Sequence, residues 1–233
     1  MAGEDKYRDY MYGEGEKDTV WRFGAPPNYD LVNKLFEEGR THVWPVGSVE
    51  ERVQRLVKTW EMEFVHKVRP QDYKSMNPEK FRFSVNGKKE MTAEELREVG
   101  GSYNAFLQTN LPKHLRIYDP EEETADSSTK EFTTVFPRGF AVEILQVYQA
   151  APPTVVYKFR HWSYMEGPFH GHAPTGELVE FFGIGIFHVD DQMRVEKVEF
   201  FYERGDFLSS FLKGAPLKSS GEGTPSRCPF LKE

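Results

Sequence analysis

Residues Gly171–Phe211, G-H-A-P-T-G-E-L-V-E-F-F-G-I-G-I-F-H-V-D-D-Q-M-R-V-E-K-V-E-F-F-Y-E-R-G-D-F-L-S-S-F, decide the fold. Pro174-Thr175-Gly176 is a turn tripeptide, with Pro presetting φ and Gly tolerating a positive one. Glu177 to Val189 is rich in β-formers, and its Gly183 and Gly185 predict a bulge or a sharp bend. Asp190-Asp191-Gln192 makes the next turn, and Arg194 to Tyr202 is the return strand. Asp206 is then the expected cap of a closing helix over Phe207 to Leu212.

Upstream, Phe140 to Gln149 and Thr154 to Glu166 read as two more strands joined by Pro152-Pro153. The half before them is helical. Asn28 caps a helix over Tyr29 to Glu38, with Leu31, Leu35 and Phe36 on one face. Ser48 and Glu51 form a capping box for a helix reaching about Lys67, with Val49, Val53, Leu56, Trp60 and Phe64 as its buried stripe. Gln71 to Met76 reads as a helical turn. Phe81 to Val85 alternates and meets Asn86-Gly87, a hairpin signal. Thr92 and Glu95 open a helical region to Gln108, interrupted at Gly100-Gly101. Residues 119–130 are acidic and serine-rich and read as an exposed loop. Helices followed by a run of antiparallel strands give an α+β class. The expected division is an N-terminal arm and short helix over 1–47, the α+β domain over 48–213, and a linker-like tail over 214–233. The first 20 residues read as disordered or laid across the surface.

The net charge of -7 argues against nucleic acid and anionic membranes as partners. No apolar run approaches the roughly 20 residues of a spanning helix. Cys228 is the single cysteine, so no internal disulfide forms, and Met1 is followed by Ala2-Gly3-Glu4-Asp5 rather than a signal-like segment. The expectation is a soluble cytoplasmic protein. Aromatics make up 15% of the chain, enough for a large core or a wide apolar cavity.

The order P-T-G, strand, Asp191-x-x-Arg194-Val195, aromatic strand, acidic residue, short helix resembles the end of SnoaL-like domains of the nuclear transport factor 2-like superfamily. Trp21-Arg22-Phe23-Gly24-Ala25-Pro26-Pro27-Asn28-Tyr29-Asp30, Lys58-Thr59-Trp60-Glu61-Met62-Glu63 and Gly101-Ser102-Tyr103-Asn104 resemble the plant pathogen-related family across nearly the whole chain. That resemblance implies a cone, with a curved antiparallel sheet wrapped around the N-terminal helices and a pocket at its mouth. It also implies induction by pathogens, which concerns regulation rather than activity.

Within that cone the alternation of the strand Thr154 to Glu166 puts Val155, Tyr157, Phe159, His161, Ser163 and Met165 on the inner face. A His161 imidazole near its usual pKa of about 6.5 could transfer protons there, or simply bond a backbone carbonyl in the core. In SnoaL-like cyclases an acidic residue at the end of the last strand is the general acid/base, and Glu203 occupies that place, with Asp206 one turn on as the rival register. Such a carboxylate must be desolvated, with a raised pKa. Tyr103, Tyr157 and Tyr202 could donate to a ligand oxygen, and Trp60, Phe64, Phe159 and Phe182 are the candidate apolar wall. Glu143 and Glu180 face solvent or pair with Lys158 or Arg160. His66 ends a helix, where its charge would favour the negative pole. His170 and His172 lack a third ligand near them in sequence, so no metal is expected. There is no G-x-S-x-G, no phosphate-cradling loop and no dinucleotide fingerprint, so no cofactor is expected. Cys228 sits in a tail unsuited to a nucleophile.

Three readings follow. The first is a defence- or stress-associated protein that holds a hydrophobic small molecule in the cone, or hands it to a partner enzyme. The second is a cofactor-independent cyclase, isomerase or dehydratase of a polyketide- or terpenoid-like substrate, with Glu203 and His161 as acid/base partners. The third is an interaction module acting as a homodimer through the outer face of its sheet.

Overall fold

The computed structural model describes residues 5–217. Cys228 and most of the expected tail lie outside them. The architecture is mixed α+β: one curved, unclosed five-stranded sheet with helices. The elements are α1 (Asp30–Gly39), α2 (Val49–His66), β1 (Arg82–Val85), α3 (Ala93–Glu98), α4 (Gly101–Phe106), α5 (Ala125–Val135), β2 (Ala141–Ala151), β3 (Thr154–Tyr164), β4 (Leu178–Val189), β5 (Val195–Tyr202) and α6 (Arg204–Ser209). The sheet order is β1-β5-β4-β3-β2, so the four late strands form one antiparallel sheet. Among the described residues no helix is long and apolar enough to cross a membrane.

Local signals place the helices. The Ser48 hydroxyl accepts from the Glu51 N–H at 3.2 Å, although Glu51 reaches back to the Gly47 N–H rather than closing a reciprocal box. At Thr92 the box is complete. Gly100 and Gly101 both take positive φ, which is what separates α3 from α4. Residues 119–130 are not one loop: α5 starts at Ala125, capped by Thr124, and buries Ser128, Phe132 and Val135. The apolar half of that helix follows a polar first turn, so the acidic run hid it.

β1 corrects a second expectation. Asn86-Gly87 does turn the chain with both φ positive, but the return is a single bridge, Phe83 to Met91. β1 instead pairs in parallel with β5, Phe83 opposite Val198. The glycines of β4 make no bulge either. The β3–β4 register runs unbroken past Gly183 and Gly185, opposite Phe159 and Tyr157. A Cβ at Gly183 would meet the Phe159 ring at 2.5 Å, and one at Gly185 the Tyr157 ring at 2.3 Å. At each position the ring of the partner residue on β3 occupies the space a side chain would need, and at Gly183 the Phe201 carbonyl does so as well, 2.6 Å away.

Two layers cover the sheet. On the inner face Val155, Tyr157, Phe159 and Met165 are buried against Trp60, Phe81, Phe83, Phe187 and Phe200. On the outer face α1 covers Ala141 and Trp162 with Leu35 and Phe36, while Leu31 is left 59% exposed. Burying each such aromatic contributes about 1.5–3 kcal/mol. Below Trp162, Arg160 donates to Glu143 (3.2 Å), Glu180 (2.6 Å) and the Gly39 carbonyl (3.0 Å), so both strand carboxylates pair with it.

The arm is laid against α2 and partly buried. Met11, Arg8 and Glu16 are buried. Glu16 and Glu63 each accept from the buried Lys67 ammonium at 2.8 Å, and Glu63 also accepts from Lys74, Ser75 N–H and the Ser75 hydroxyl. At the other end the Ala173 N–H donates to Ala215, and Leu217 N–H to Gly171.

Candidate functional site

His161 stands on β3 between Val142 of β2 and Phe181 of β4. Its imidazole is boxed by Phe140 and Phe181, stacked at 5.5 and 5.3 Å, and by the edge of Phe159 at 5.6 Å. Burial and then the Lys58 charge, against a weaker pull from the Ala141 backbone, drive its pKa down to about 3. The ring is therefore neutral across the physiological range, and the expectation of a group poised near 6.5 is corrected. Among the described residues its buried Nδ1 has no hydrogen-bond partner.

Glu203 is placed differently from the expectation. Its carboxylate caps α6, accepting from the Gly205 N–H at 3.0 Å and from the Asp206 N–H. It is exposed, and those two bonds lower its pKa. A general base needs the reverse. Asp206, the expected cap, lies in the first turn and is exposed as well. Tyr202 points inward, but its hydroxyl is already donated to the Phe106 carbonyl at 2.8 Å.

The remaining candidates divide by face. Tyr157 is wholly buried and Trp60 is buried, and among the described residues Tyr157 Oη and Trp60 Nε1 have no partner. Trp60 stacks on Phe64 at 5.4 Å and meets Phe187 at 5.1 Å. Tyr103 stacks on Phe132 of α5 at 4.5 Å, and burial, then the charge of Glu61, pushes its phenol up to about 12. Phe159 lies in the packed core. Phe182 does not belong to the inner wall: opposite Arg160, it faces outward and is 47% exposed. Strand periodicity puts one of the Phe181–Phe182 pair inside and the other outside.

The deep end of the concave face is filled by Trp60, Phe81, Phe83, Phe159, Phe187 and Phe200. Toward α4 and α5 the packing loosens. Phe64, Tyr103, Phe106, Phe140, His161 and Phe181 keep solvent-accessible surface although they pack against that core. Glu61 of α2 does too, although burial raises its pKa. Sequence reading passed over Glu61; the signal available was a charge beside the apolar stripe of an otherwise well-buried helix.

Two surface concavities lie elsewhere. One of about 390 Å³ sits between the arm and α1, at Tyr12 and Tyr29. The other, about 300 Å³, is lined by Glu123, Ser127, Lys130, Glu131, Thr134 and Pro168. Beside it Glu123, Glu131 and His170 bring ligand atoms within 4.8 Å of one another, a convergence the spacing of His170 and His172 did not suggest. Glu131 already holds His170 Nε2 at 2.9 Å, and His172 Nδ1 sits 2.9 Å from the Gly214 carbonyl. His66 is not a charged helix end: burial, then Arg22 and Arg8, lower it to about 4.

No family model matches the chain. A pathogen-related protein of Hordeum vulgare is 61% identical over 225 residues, covering 96% of this chain and 95% of its own length. Among solved structures, a protein of Jannaschia sp. CCS1 described as a SnoaL-like polyketide cyclase is 19% identical at a TM-score of 0.33, over 55% of this chain and 67% of its own. An LEH-like epoxide hydrolase of M. tuberculosis is 13% identical at 0.31, over 60% and 74%. A phenazine biosynthesis-related protein of Pseudomonas aeruginosa is 11% identical at 0.32, over 82% and 99%. Overlaps this loose add nothing to what sheet order and helix placement already give.

Proposed function

The chain belongs to the pathogen-related protein family, and from that premise we propose that it is a plant defence-associated binding protein holding one largely apolar small molecule in the hollow between the sheet, α2 and α4. It acts on that molecule without turnover, as a carrier or as a helper that delivers it to a partner enzyme. The setting is a reducing one, the cytoplasm, in keeping with a single cysteine in 233 residues. One observation carries the reading: among the described residues Tyr157 Oη, Trp60 Nε1 and His161 Nδ1 are buried without a partner. Buried polar atoms in packed cores are almost always bonded. They are three of six such atoms among the described residues, and of the three residues only His161 keeps more than a trace of solvent-accessible surface, where an occupant with a polar group on an apolar body would bond it. With Glu203 and His161 as its pair, the cyclase or isomerase reading needs a raised carboxylate and a titrating histidine, whereas Glu203 is an exposed cap and His161 is held neutral; the carboxyl that burial does raise is that of Glu61 on α2.

The test is mass spectrometry of the protein purified from plant tissue, native and then denatured. A small molecule at near one-to-one occupancy, lost on unfolding, is the expected result. Protein that carries nothing, and that binds no hydrophobic probe in fluorescence titration, refutes the reading.

A second reading rests on the outer face of the sheet. Phe182 and Phe201 are exposed there, Ile184 lies opposite Phe201, and Ile186 follows it along β4 opposite Glu199. Lys197 and Glu199, bridged to each other at 3.1 Å, stand at its edge, so the patch carries both charges and can pair with a copy of itself. Sedimentation should give a dimer that Phe182→Asp converts to monomer; a wild-type monomer at high concentration rejects it.

A further inference from the structure

Three ligand-bearing side chains outside the hollow converge where α5 meets the loop between β3 and β4. Glu123 stands just before the Thr124 cap of α5, Glu131 is on the helix itself, and His170 is in the loop. One ligand atom from each lies within 4.8 Å of the other two. Glu131 holds His170 Nε2 at 2.9 Å, and the Ser127 hydroxyl donates to Glu123. Among the described residues no lysine or arginine pairs with either carboxylate. The groups sit on fixed supports. The Glu166 and Gly167 N–H groups donate to the Val135 carbonyl at the end of α5, at 3.0 and 3.1 Å, which ties the loop to the helix. Phe132, next to Glu131, packs on Phe169, next to His170, at 6.2 Å. The imidazole stacks on Phe169 at 4.3 Å and on Tyr118 at 6.4 Å. The concavity of about 300 Å³ opens beside them, and both carboxylates line it.

Two half-buried carboxylates within reach of one imidazole nitrogen make a place for a cation. A proton is the smallest such cation, and Glu131, with a further push from Glu123, raises the pKa of His170 against its burial. A divalent ion takes the Nε2 lone pair in exchange for that proton and binds both carboxylates. Ligands about 2.1 Å from a tetrahedral ion stand about 3.4 Å apart. Glu131 and His170 are already 2.9 Å apart, so only Glu123 has to close in, by at most about 1.4 Å, through rotations of its own side chain. One imidazole with two carboxylates suits Zn²⁺ or a neighbouring first-row ion, whereas Ca²⁺ and Mg²⁺ prefer oxygen ligands alone. We propose that Glu123, Glu131 and His170 bind one Zn²⁺-class transition-metal ion, with water completing its coordination on the side of the concavity. The ion pins the β3–β4 loop to α5, and the site stands whatever the hollow holds.

The experiment is calorimetric titration of the full chain with ZnCl₂, repeated with Ca²⁺ and with Co²⁺, whose visible absorption reports its ligands. One Zn²⁺ should bind per chain, at least about tenfold more tightly than Ca²⁺. Saturation should raise the melting temperature, since the ion binds only the folded arrangement. His170→Ala and Glu131→Gln should each weaken Zn²⁺ by at least about 100-fold and abolish the tetrahedral Co²⁺ bands. Glu123→Gln should weaken it too; among the described residues that carboxylate bonds only the Ser127 hydroxyl, so this variant tests the site even where the other two fold poorly. Cys228→Ser, which removes the single thiol, should bind as wild type does. A wild type without saturable Zn²⁺ binding, or with equal affinity for Ca²⁺, refutes the site. So does wild-type Zn²⁺ affinity in the Glu123 and His170 variants, or lost binding in Cys228→Ser, since the ion would then sit elsewhere on the chain.

Discussion

Replacing His161 by phenylalanine should flatten the acid limb of the stability curve. In the folded chain the imidazole is held to a pKa of about 3 by burial and by Lys58; unfolded, it returns to the ordinary value of 6.5. A depressed folded pKa gives stability that is complete above the unfolded value and is lost as pH falls toward the folded one. From those two values the loss is negligible at pH 7.5, about 2 kcal/mol at pH 5 and about 3 kcal/mol at pH 4. Part of the ring stays solvent-accessible, so these are upper figures. The assay is urea unfolding of wild type and His161→Phe at pH 7.5, 6, 5 and 4. Whatever constant cost the larger ring adds inside the Phe140–Phe181 box is the same at every pH and drops out of the slope. His66 is also depressed, to about 4, and titrates equally in both proteins. Phenylalanine should therefore gain on wild type by about 2 kcal/mol between pH 7.5 and 5. Parallel curves would mean that His161 titrates normally, and the neutral, boxed imidazole would have to be abandoned together with the dismissal of its acid/base role.

Lys67→Met leaves Glu16 and Glu63 buried without their shared cation and should cost about 3–5 kcal/mol by urea unfolding; a loss under about 1 kcal/mol would mean that the arm is not anchored there. Gly185→Ala puts a Cβ 2.3 Å from the Tyr157 ring and should cost about 1–3 kcal/mol, recovered when Tyr157→Leu is added. A lasting loss in the double variant would point to backbone strain rather than the ring. Glu203→Ala removes the α6 cap and should cost about 1 kcal/mol with ligand occupancy unchanged. Lost occupancy in a folded variant would return Glu203 to the site.

The helix starts at Ser48 and Thr92 could be read from sequence because a cap and its acceptor sit three residues apart. The β3 face could be read because Val155, Tyr157 and Phe159 alternate and all point inward. α5 was hidden because Phe132 and Val135 come late in it and its box closes on Ser127 rather than on a glutamate. The parallel partner of β1 lies more than a hundred residues away in β5, and no local pattern encodes that choice. Between Glu203 and Asp206 the spacing was ambiguous by one helical turn; the two N–H groups that Glu203 reaches decided it.

The sequence by itself determined the α+β class, the inner face of β3, the main helix starts and, through its close relative, the family. These depend on periodicity and on contacts a few residues long. Only the tertiary structure decided which polar groups lack partners and which charges are desolvated. Glu61, Lys58 and His161 are ordinary residues in the chain. They become unusual only when α2, the arm and β3 are brought together, because desolvation is a sum over every neighbour in space and most of those neighbours are remote in sequence.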